Sequence, residues 1–271
     1  MNMQPTNIYL HLTEKFNAGR FRAIISSGQA VVLHQLAIMS KDGDWILRED
    51  EETFAHLLTV LDTFGARYRF GAPLDIRWMK GGWSSHYEFM QDDLRVRTDF
   101  VTRPPRISRK RLAELWRELE QRAIPFVDAA DLIEFKKTNR EKDYAIIGEL
   151  ARLLTNVDDQ LRYSRSARDI IDLCESHPQI ASRIAQERPL LLAAEKGISS
   201  LEAALDAERR GLIHENERRL KKYLDAAKEW AENWKLVERE IVGMPLVRAH
   251  RIVVERAEKL LPFNPAGAAS E

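Results

Sequence analysis

The chain has 271 residues, of which 44% are hydrophobic and 31% are charged, a composition typical of a folded protein with one large core or two modest ones. Its 42 basic and 42 acidic residues cancel, so any site for a nucleic acid or another polyanion must be local. Because Cys174 is the only cysteine, an internal disulfide and a cysteine-based zinc site are excluded. Residues 1–5 show no leader pattern, and no apolar run reaches the roughly 18 residues of a membrane span. We therefore expect a cytoplasmic protein without a membrane partner.

The first half of the sequence predicts a mixture of helices and strands. Residues 7–17 fit either, with the helix favoured because the run ends at Gly19. The spacing of apolar residues between Asp50 and Gly65 predicts an amphipathic helix over residues 51–64. In chain order the other predicted elements are a strand at 21–25, a helix from Gly28 to about Met39, and strands at 45–47, 74–79, 86–89 and 94–101.

The second half predicts helices. Ser108 and either Asp128 or Asp131 have the character of helix caps, and the second of these helices continues to Leu154. After residues 156–159 strand-like alternation disappears, and the helical patterns are broken at Pro178, Pro189, Gly197, Gly211 and Gly243 to Pro245. The sequence therefore predicts an α/β (α+β) domain with a mixed sheet over residues 1–155 and an all-helical domain over 156–271, with a disordered tail from about Pro262.

Apolar residues, most of them large, recur in the helical half in steps of four and three. The series consists of Tyr223, Ala227, Trp230, Trp234, Val237 and Ile241. This is the spacing of a packed helical seam, so we expect these residues to lie in a helical core or to form a dimer face.

Three aspartates form the chemically most suggestive pattern. If Asp44 opens a strand, the period of two places Asp42 on the same side, and a neighbouring strand with Asp99 would complete a three-carboxylate cage. Oxygen ligands of this kind suit Mg²⁺, and two such ions can clamp the oxygens of a phosphoryl displacement. A surface turn rich in Asp and Gly is the simpler interpretation of the tripeptide Asp42-Gly43-Asp44 alone. A calcium-binding loop is excluded because Ile46 occupies a position that would have to be a ligand.

The segment before these aspartates reads as a strand, a glycine turn and a helix start, at Ser27-Gly28. Unpaired N–H groups and the positive end of the helix dipole make such a start suitable for phosphate. The pattern predicts a phosphate site at this turn.

The ordered set resembles the minimal nucleotidyltransferases of the polymerase-β-like superfamily, including toxin-type members of toxin–antitoxin and phage-defence systems. Ser27-Gly28 stands at the family's glycine pair, Ser40 at its Thr position and Asp42-Gly43-Asp44 at its Asp-x-Asp. Ile38 stands where the family usually has Arg. Further on, Asp99 matches the Asp in an apolar strand, and residues 131–143 match a Leu-Ile-x-x-Lys helix followed by Arg and Lys-Asp. The resemblance covers roughly the first half of the chain.

The resemblance implies transfer of a nucleoside monophosphate from a nucleoside triphosphate to a hydroxyl, with pyrophosphate leaving. Asp42, Asp44 and Asp99 would be the catalytic metal ligands, with Asp42 and Asp44 holding two Mg²⁺ ions and Asp99 completing one of them. The triphosphate would be bound by Ser27, Gly28, Lys136 and Arg140. The acceptor could be RNA, a protein or a small molecule, and a toxin of this type would have an antitoxin partner.

Alternatives accompany these expectations. Lys136, Arg140 and Asp143 follow at i, i+4 and i+7, which fits a phosphate site or an exposed ion-pair face. A basic stretch from Arg103 to Arg111 fits an RNA contact or an exposed helix start. Ile38 favours a catalytically degenerate nucleotide-binding or scaffold protein as the alternative to an enzyme. Oligomerisation through the helical domain is a further expectation.

Overall fold

The structure, a computed structural model, describes residues 7–265. Their contacts divide the chain into two units. The first consists of the described residues up to Leu33, Ala37–Val127 and the residues from Lys221 onward. The second consists of His34–Leu36 and Asp128–Leu220. None of the helices within residues 7–265 combines the length and the apolar character that crossing a membrane requires.

The elements alternate at first and are helical afterwards. Up to Leu119 they are α1 Ile8–Phe16, β1 Ala23–Ser26, α2 Ser27–Leu33, β2 Asp42–Leu47, α3 Glu51–Thr63, β3 Arg67–Tyr68, α4 Ile76–Met79, β4 Ser85–Gln91, β5 Leu94–Val101 and α5 Arg109–Leu119. They continue as α6 Ala129–Lys136, α7 Glu141–Arg152, α8 Val157–Tyr163, α9 Ala167–Ser176, α10 Pro178–Ile184, a 3-10 helix Pro189–Lys196, α11 Ile198–Ala226, α12 Lys228–Ile241 and α13 Leu246–Leu260. The chain is thus an α+β protein.

The first unit is built on a mixed sheet in which the strand order is β1-β2-β5-β4-β3. Strands β2 and β5 are parallel, while the other neighbouring strands are antiparallel. Beyond β1 the chain adds one parallel bridge, in which Ile25 N donates to Pro125 O and Val127 N donates to Ile25 O. Because β2 and β5 are parallel neighbours, the strand that follows α2 lies beside the strand that carries Asp99.

One face of this sheet is covered by aromatic rings. Trp45 stacks on Phe100 with ring centroids 5.5 Å apart, and the edge of Phe16 from α1 meets Trp45. The indole N–H of Trp45 donates to Thr13 Oγ1 at 2.9 Å. A Cβ at Gly43 would lie 2.3 Å from the Trp45 ring, so only glycine fits there. Burial of this face forces the alternate side chains onto the other one.

The last two helices complete the same unit. Trp230 of α12 is 1% exposed, and its indole N–H donates to Gly71 O at 2.9 Å. Trp78 donates to Leu261 O at 3.0 Å, and Tyr68 is hydrogen-bonded to His250 of α13. Helices α12 and α13 therefore belong to the first unit, where they contact the edge strand β3, the residues that follow it and α3, and they do not extend a separate helical domain.

The second unit consists of helices around its own core. Leu161, Ile170, Ile184 and Leu201 are fully buried there. The guanidinium of Arg188 is also buried, and it donates to Leu161 O at 2.7 Å and Ser164 O at 3.0 Å and pairs with Glu208. The boundary that the sequence predicts at residue 155 lies inside this unit, between α7 and α8.

Several predicted elements agree with the structure. Residues 8–16 form the favoured helix, α3 ends one residue before the end predicted for it, and β5 has the predicted bounds. Ser108 and Asp128 cap α5 and α6 by accepting from backbone N–H groups. Of the predicted loose tail, residues 266–271 lie outside the described residues.

Other predictions were wrong. Residues 74–79 were predicted as a strand, but Asp75 accepts from the N–H of Arg77 and starts α4, a helix that buries Trp78 and Met79. The helix expected to reach Met39 ends at Leu33, because Gln35 has φ +62. Gly211 does not break α11.

The helix that the sequence predicts to continue through Leu154 is interrupted. Helix α6 ends at Lys136, and α7 begins at Glu141. Between them Tyr144 Oη donates to Thr138 O at 2.9 Å, and Asn216 donates to Lys137 O at 2.7 Å. Lys136, Arg140 and Asp143 therefore belong to two helices and their junction.

Candidate functional site

A row of polar side chains crosses the sheet on the face opposite the aromatic rings. The residues that the register pairs are Ser26 on β1, Asp44 on β2, Asp99 on β5 and His86 on β4. Asp42 is paired with Arg97 one row further on. Alternation along each strand places all of them on one side. The structure thus brings Asp42, Asp44 and Asp99 onto adjacent strands, as the sequence predicts.

Asp42 lies at the start of β2 beside a cation. Its Oδ1 is 3.7 Å from Nη1 of Arg97. That oxygen is buried and has no hydrogen-bond partner among the described residues, and the same holds for Nε of Arg97. Burial raises the pKa of Tyr9 to about 12, and the charges of Asp42 and Asp44 add to the shift. The carboxylates therefore produce a negative potential at this end of the strand.

The turn at Ser27-Gly28 lies against Asp44. Ser27 has φ +48, a strained value for a residue with a side chain, and such strain is found often at functional sites. A Cβ at Gly28 would be 2.3 Å from Ser40 Oγ and 4.0 Å from Asp44 Oδ2. The helix that follows has only seven residues. Close approach of the chain to Ser40 is therefore what requires glycine here.

Asp99 is held by two side chains that sequence analysis did not single out. Its Oδ1 accepts from Nη1 of Arg69 at 3.1 Å and is 2.7 Å from Nδ1 of His86. On the other side of the ring, Nε2 of His86 is 2.8 Å from Ser84 Oγ. Asp99 is thus part of a hydrogen-bonded chain that leads away from Asp44.

The carboxylates fit a divalent cation only in part. Asp42 offers a buried oxygen without a hydrogen bond, and Asp44 follows it on the same face. Asp99 lies beside Asp44 in the register, and its Oδ1 is engaged by Arg69 and His86, so its part as a third ligand stays a prediction. Within residues 7–265 no three His, Cys, Asp or Glu side chains are grouped closely enough to hold a metal ion. The predicted pair of Mg²⁺ ions stays a prediction.

Lys136 and Arg140 belong to the second unit and meet around Asp143. Lys136 is 6% exposed, with Nζ 3.7 Å from Asp143 Oδ1. Arg140 Nε donates to Asp143 Oδ2 at 2.9 Å, and Thr138 Oγ1 donates to the same oxygen at 2.6 Å. The predicted grouping exists, but Lys136 and Asp143 are buried and do not form an exposed ion-pair face. Their role in nucleotide binding stays a prediction.

Ile38, the departure from the family pattern, is fully exposed. It lies after the end of α2, and its exposure leaves it no role in the core. A cation is nevertheless present near Asp42, because Arg97 reaches it from β5. The sequence does contain a signal for Arg97, since it lies two residues before Asp99 on an alternating strand.

Comparison with known proteins gives no further guide. A scan of protein-family models, a search of curated proteins and a search of solved structures found no match to this chain.

Proposed function

We propose that the first unit binds a nucleoside triphosphate at Asp42 and Asp44 and transfers the nucleoside monophosphate to a hydroxyl. The observation that supports this proposal best is the register in which Asp44 is paired with both Ser26 and Asp99. In that register the carboxylates of Asp44 and Asp99 lie in the same row as Ser26, the residue that precedes the strained turn at Ser27-Gly28. Carboxylates beside a glycine-dependent turn suit a substrate that arrives as a metal–phosphate complex.

In this proposal Asp42 and Asp44 would hold one Mg²⁺ ion. When bound, the ion neutralises phosphate charge and lowers the pKa of the attacking hydroxyl. Gly28 keeps the chain close to Ser40, so that the turn stays against Asp44. Arg97 adds a positive charge on the same face, 3.7 Å from Asp42, and a guanidinium suits phosphate oxygens. The acceptor is a hydroxyl on RNA, on a protein or on a small molecule.

Nucleotide binding without transfer is the second candidate. It is favoured by Asp99, whose Oδ1 is already engaged by Arg69 and His86. A site with two carboxylates can hold a metal–nucleotide complex yet lack the group that completes the reaction.

Calorimetric titration of ATP, GTP, CTP and UTP, each with and without Mg²⁺, tests the binding step. We expect at least one triphosphate to bind in a Mg²⁺-dependent way, and Asp44→Asn to weaken it at least about tenfold because a ligand charge is lost. The matched control is Asp93→Asn. Asp93 lies in the β4–β5 turn with φ +63, a conformation that asparagine tolerates, so this variant should bind as the wild type does.

Transfer is tested separately by incubating the protein with each labelled triphosphate, Mg²⁺ and mixed cell RNA or protein. Label in a macromolecule, lost in Asp44→Asn, supports the enzyme. Binding without transfer favours the second candidate. Equal binding in wild type and Asp44→Asn contradicts both.

A further inference from the structure

Ser84, His86 and Asp99 form a continuous hydrogen-bonded chain. Asp99 Oδ1 is 2.7 Å from His86 Nδ1, and His86 Nε2 is 2.8 Å from Ser84 Oγ. A carboxylate can only accept, so Nδ1 carries the proton that Asp99 receives in the hydrogen bond. In the neutral ring Nε2 is then the acceptor, and the Ser84 hydroxyl donates to it. This is the arrangement in which an imidazole can remove the proton of a serine.

The position of the imidazole is fixed from several sides. A Cβ at Gly71 would lie 2.5 Å from His86 Cδ2, so the ring occupies the space that glycine leaves open. The backbone is held on both sides of the ring, since Arg69 N donates to His86 O at 2.9 Å and Ala72 N donates to Ser84 O at 3.0 Å. Arg69 also fixes Asp99. A base that is held by its surroundings is ready for proton transfer without rearrangement.

The exposure of these groups distinguishes them from a buried polar network. The side chains of His86 and Asp99 are 24% and 25% exposed, and Ser84 is half-buried. Water could satisfy such groups, so burial does not explain their pairing. The neighbouring hydroxyl gives the contrast, because Ser85 is fully buried and donates to Tyr87 Oη at 3.1 Å. Of the two serines, only Ser84 is both partly exposed to solvent and hydrogen-bonded to a histidine.

The charge around the chain favours an anionic or strongly polar electrophile. On this face, strands β3 to β5 and the residue after β3 carry four arginines and two carboxylates: Arg67, Arg69, Arg95 and Arg97 with Glu88 and Asp99. Arg67 and Arg95 both reach Glu88, whereas Arg69, whose side chain is 31% exposed, contacts Asp99 and is therefore the guanidinium that belongs to the hydrogen-bonded chain of Ser84. Guanidinium groups bind phosphoryl oxygens well.

We propose that Ser84 is a nucleophile for an electrophilic phosphorus centre, with His86 as general base and Asp99 as the residue that positions it. Ser84 Oγ forms a bond to phosphorus while the bond from phosphorus to the leaving group breaks, and the leaving group departs with the electron pair. The proton of the hydroxyl passes to His86 Nε2, and Asp99 stabilises the resulting imidazolium. This site does not depend on nucleotide binding at Asp42 and Asp44.

A fluorophosphonate probe tests the proposal on the full-length protein. Its phosphorus is attacked by an activated serine and fluoride leaves, so intact mass and peptide mapping report one adduct at Ser84. We expect Ser84→Ala to lose the adduct and His86→Gln to slow labelling about 100-fold or more. Asp99→Asn should slow it less than His86→Gln does. Ser85→Ala is the matched control and should be labelled at the wild-type rate.

Thermal melting of each variant shows whether it is folded. No adduct at Ser84 in the folded wild-type protein would overturn the proposal, whatever the variants do. Labelling of a folded His86→Gln or His86→Asn variant at the wild-type rate would equally overturn it, because the hydroxyl would then be an ordinary surface serine. Labelling at Ser84 that depends on His86, in a protein that binds no nucleotide, would support this site while contradicting the proposed nucleotide site.

Discussion

His250 is half-buried where α13 meets the edge strand β3, and its Nδ1 shares a 2.6 Å hydrogen bond with Tyr68 Oη. Burial lowers the pKa of His250 to about 4, and the positive charge of Arg77 adds to this, while Asp75 opposes it. The unfolded chain has a histidine pKa of about 6.5. Between these values the unfolded state binds more protons than the folded state, so stability is present above about pH 6.5 and is lost as the pH falls towards 4.

Urea unfolding at a series of pH values measures this effect. One pKa unit corresponds to about 1.4 kcal/mol, so we expect His250 to contribute a loss of about 3 kcal/mol in the free energy of unfolding between pH 7 and pH 4. His250→Gln keeps a hydrogen-bonding group and does not titrate, so its pH profile should be flatter by that amount. Parallel profiles for the two proteins would contradict the prediction.

At the same scale, the sequence predicts the three aspartates but not their partners. Alternation and strand order suffice to place Asp44 beside Asp99. The pairing of His86 with Asp99 was not predicted, because the two-residue turn between β4 and β5 was not recognised. Both residues of that turn, Asp92 and Asp93, have positive φ. Counting five residues from Gln91 back and from Leu94 forward reaches His86 and Asp99, a pair that the register confirms. Recognition of the turn would have found the pair.

Helix α12 is held by its buried tryptophans. Trp230 is 1% exposed, lies edge-on to Trp234 at 5.4 Å and donates to Gly71 O. We expect Trp230→Ala to cost about 3–5 kcal/mol in the free energy of unfolding, as large-to-small changes in cores do. Trp230→Phe keeps most of the ring but leaves the Gly71 carbonyl without its donor, so it should cost about 1–3 kcal/mol.

Leu236 provides the control on the same helix, since it is 61% exposed. Leu236→Ala should change the free energy of unfolding by less than about 0.5 kcal/mol. A Trp230→Ala variant as stable as Leu236→Ala would mean that the seam predicted from the sequence is not a core. The structure already shows that Trp230, Trp234, Val237 and Ile241 are buried, as that seam predicts.

Short elements were harder to predict than long ones. The thirteen residues of α3 give several repeats of the helical period, whereas α4 has four residues and its apolar pattern equally fits a strand. In α4 the hydrogen bond from the Arg77 N–H to the side chain of Asp75 caps the helix and favours it over a strand. Likewise, α2 ends at a local change of backbone conformation at Gln35 that periodicity does not report.

At the scale of the whole molecule, the residues after Lys221 belong with the sheet, so a fragment of residues 1–155 lacks part of its own core. Trp83 would lose Pro262 O, to which it donates at 2.9 Å, and Trp78 would lose Leu261 O. We expect this fragment to show no cooperative thermal unfolding. A fragment of residues 128–220, which contains the helical core, should keep helical circular dichroism and melt cooperatively. Cooperative melting of fragment 1–155 would contradict the division.

That division could not be predicted from composition or periodicity. The helices of both units are amphipathic, and nothing in a single sequence shows that α12 and α13 belong to one unit with strands that precede them by more than a hundred residues. The division depends on close contacts between particular residues that are far apart in the sequence. A Cβ at Gly81, for example, would lie 1.8 Å from Phe263 O, a constraint that is invisible until the two segments are together.

The discontinuity of the first unit has a consequence for how the protein is made. A ribosome releases the strands and α4 early, but the segment from Trp230 to Leu261 that completes their unit emerges only after the helical unit has been synthesised. Until then Trp78 and Trp83, which are buried in the folded protein, lack their carbonyl partners and stay open to solvent. The helical unit can fold during this interval. Nascent chains stalled before residue 230 should therefore bind hydrophobic-segment chaperones through the segment that contains Trp78 and Trp83, and release should follow translation of α13.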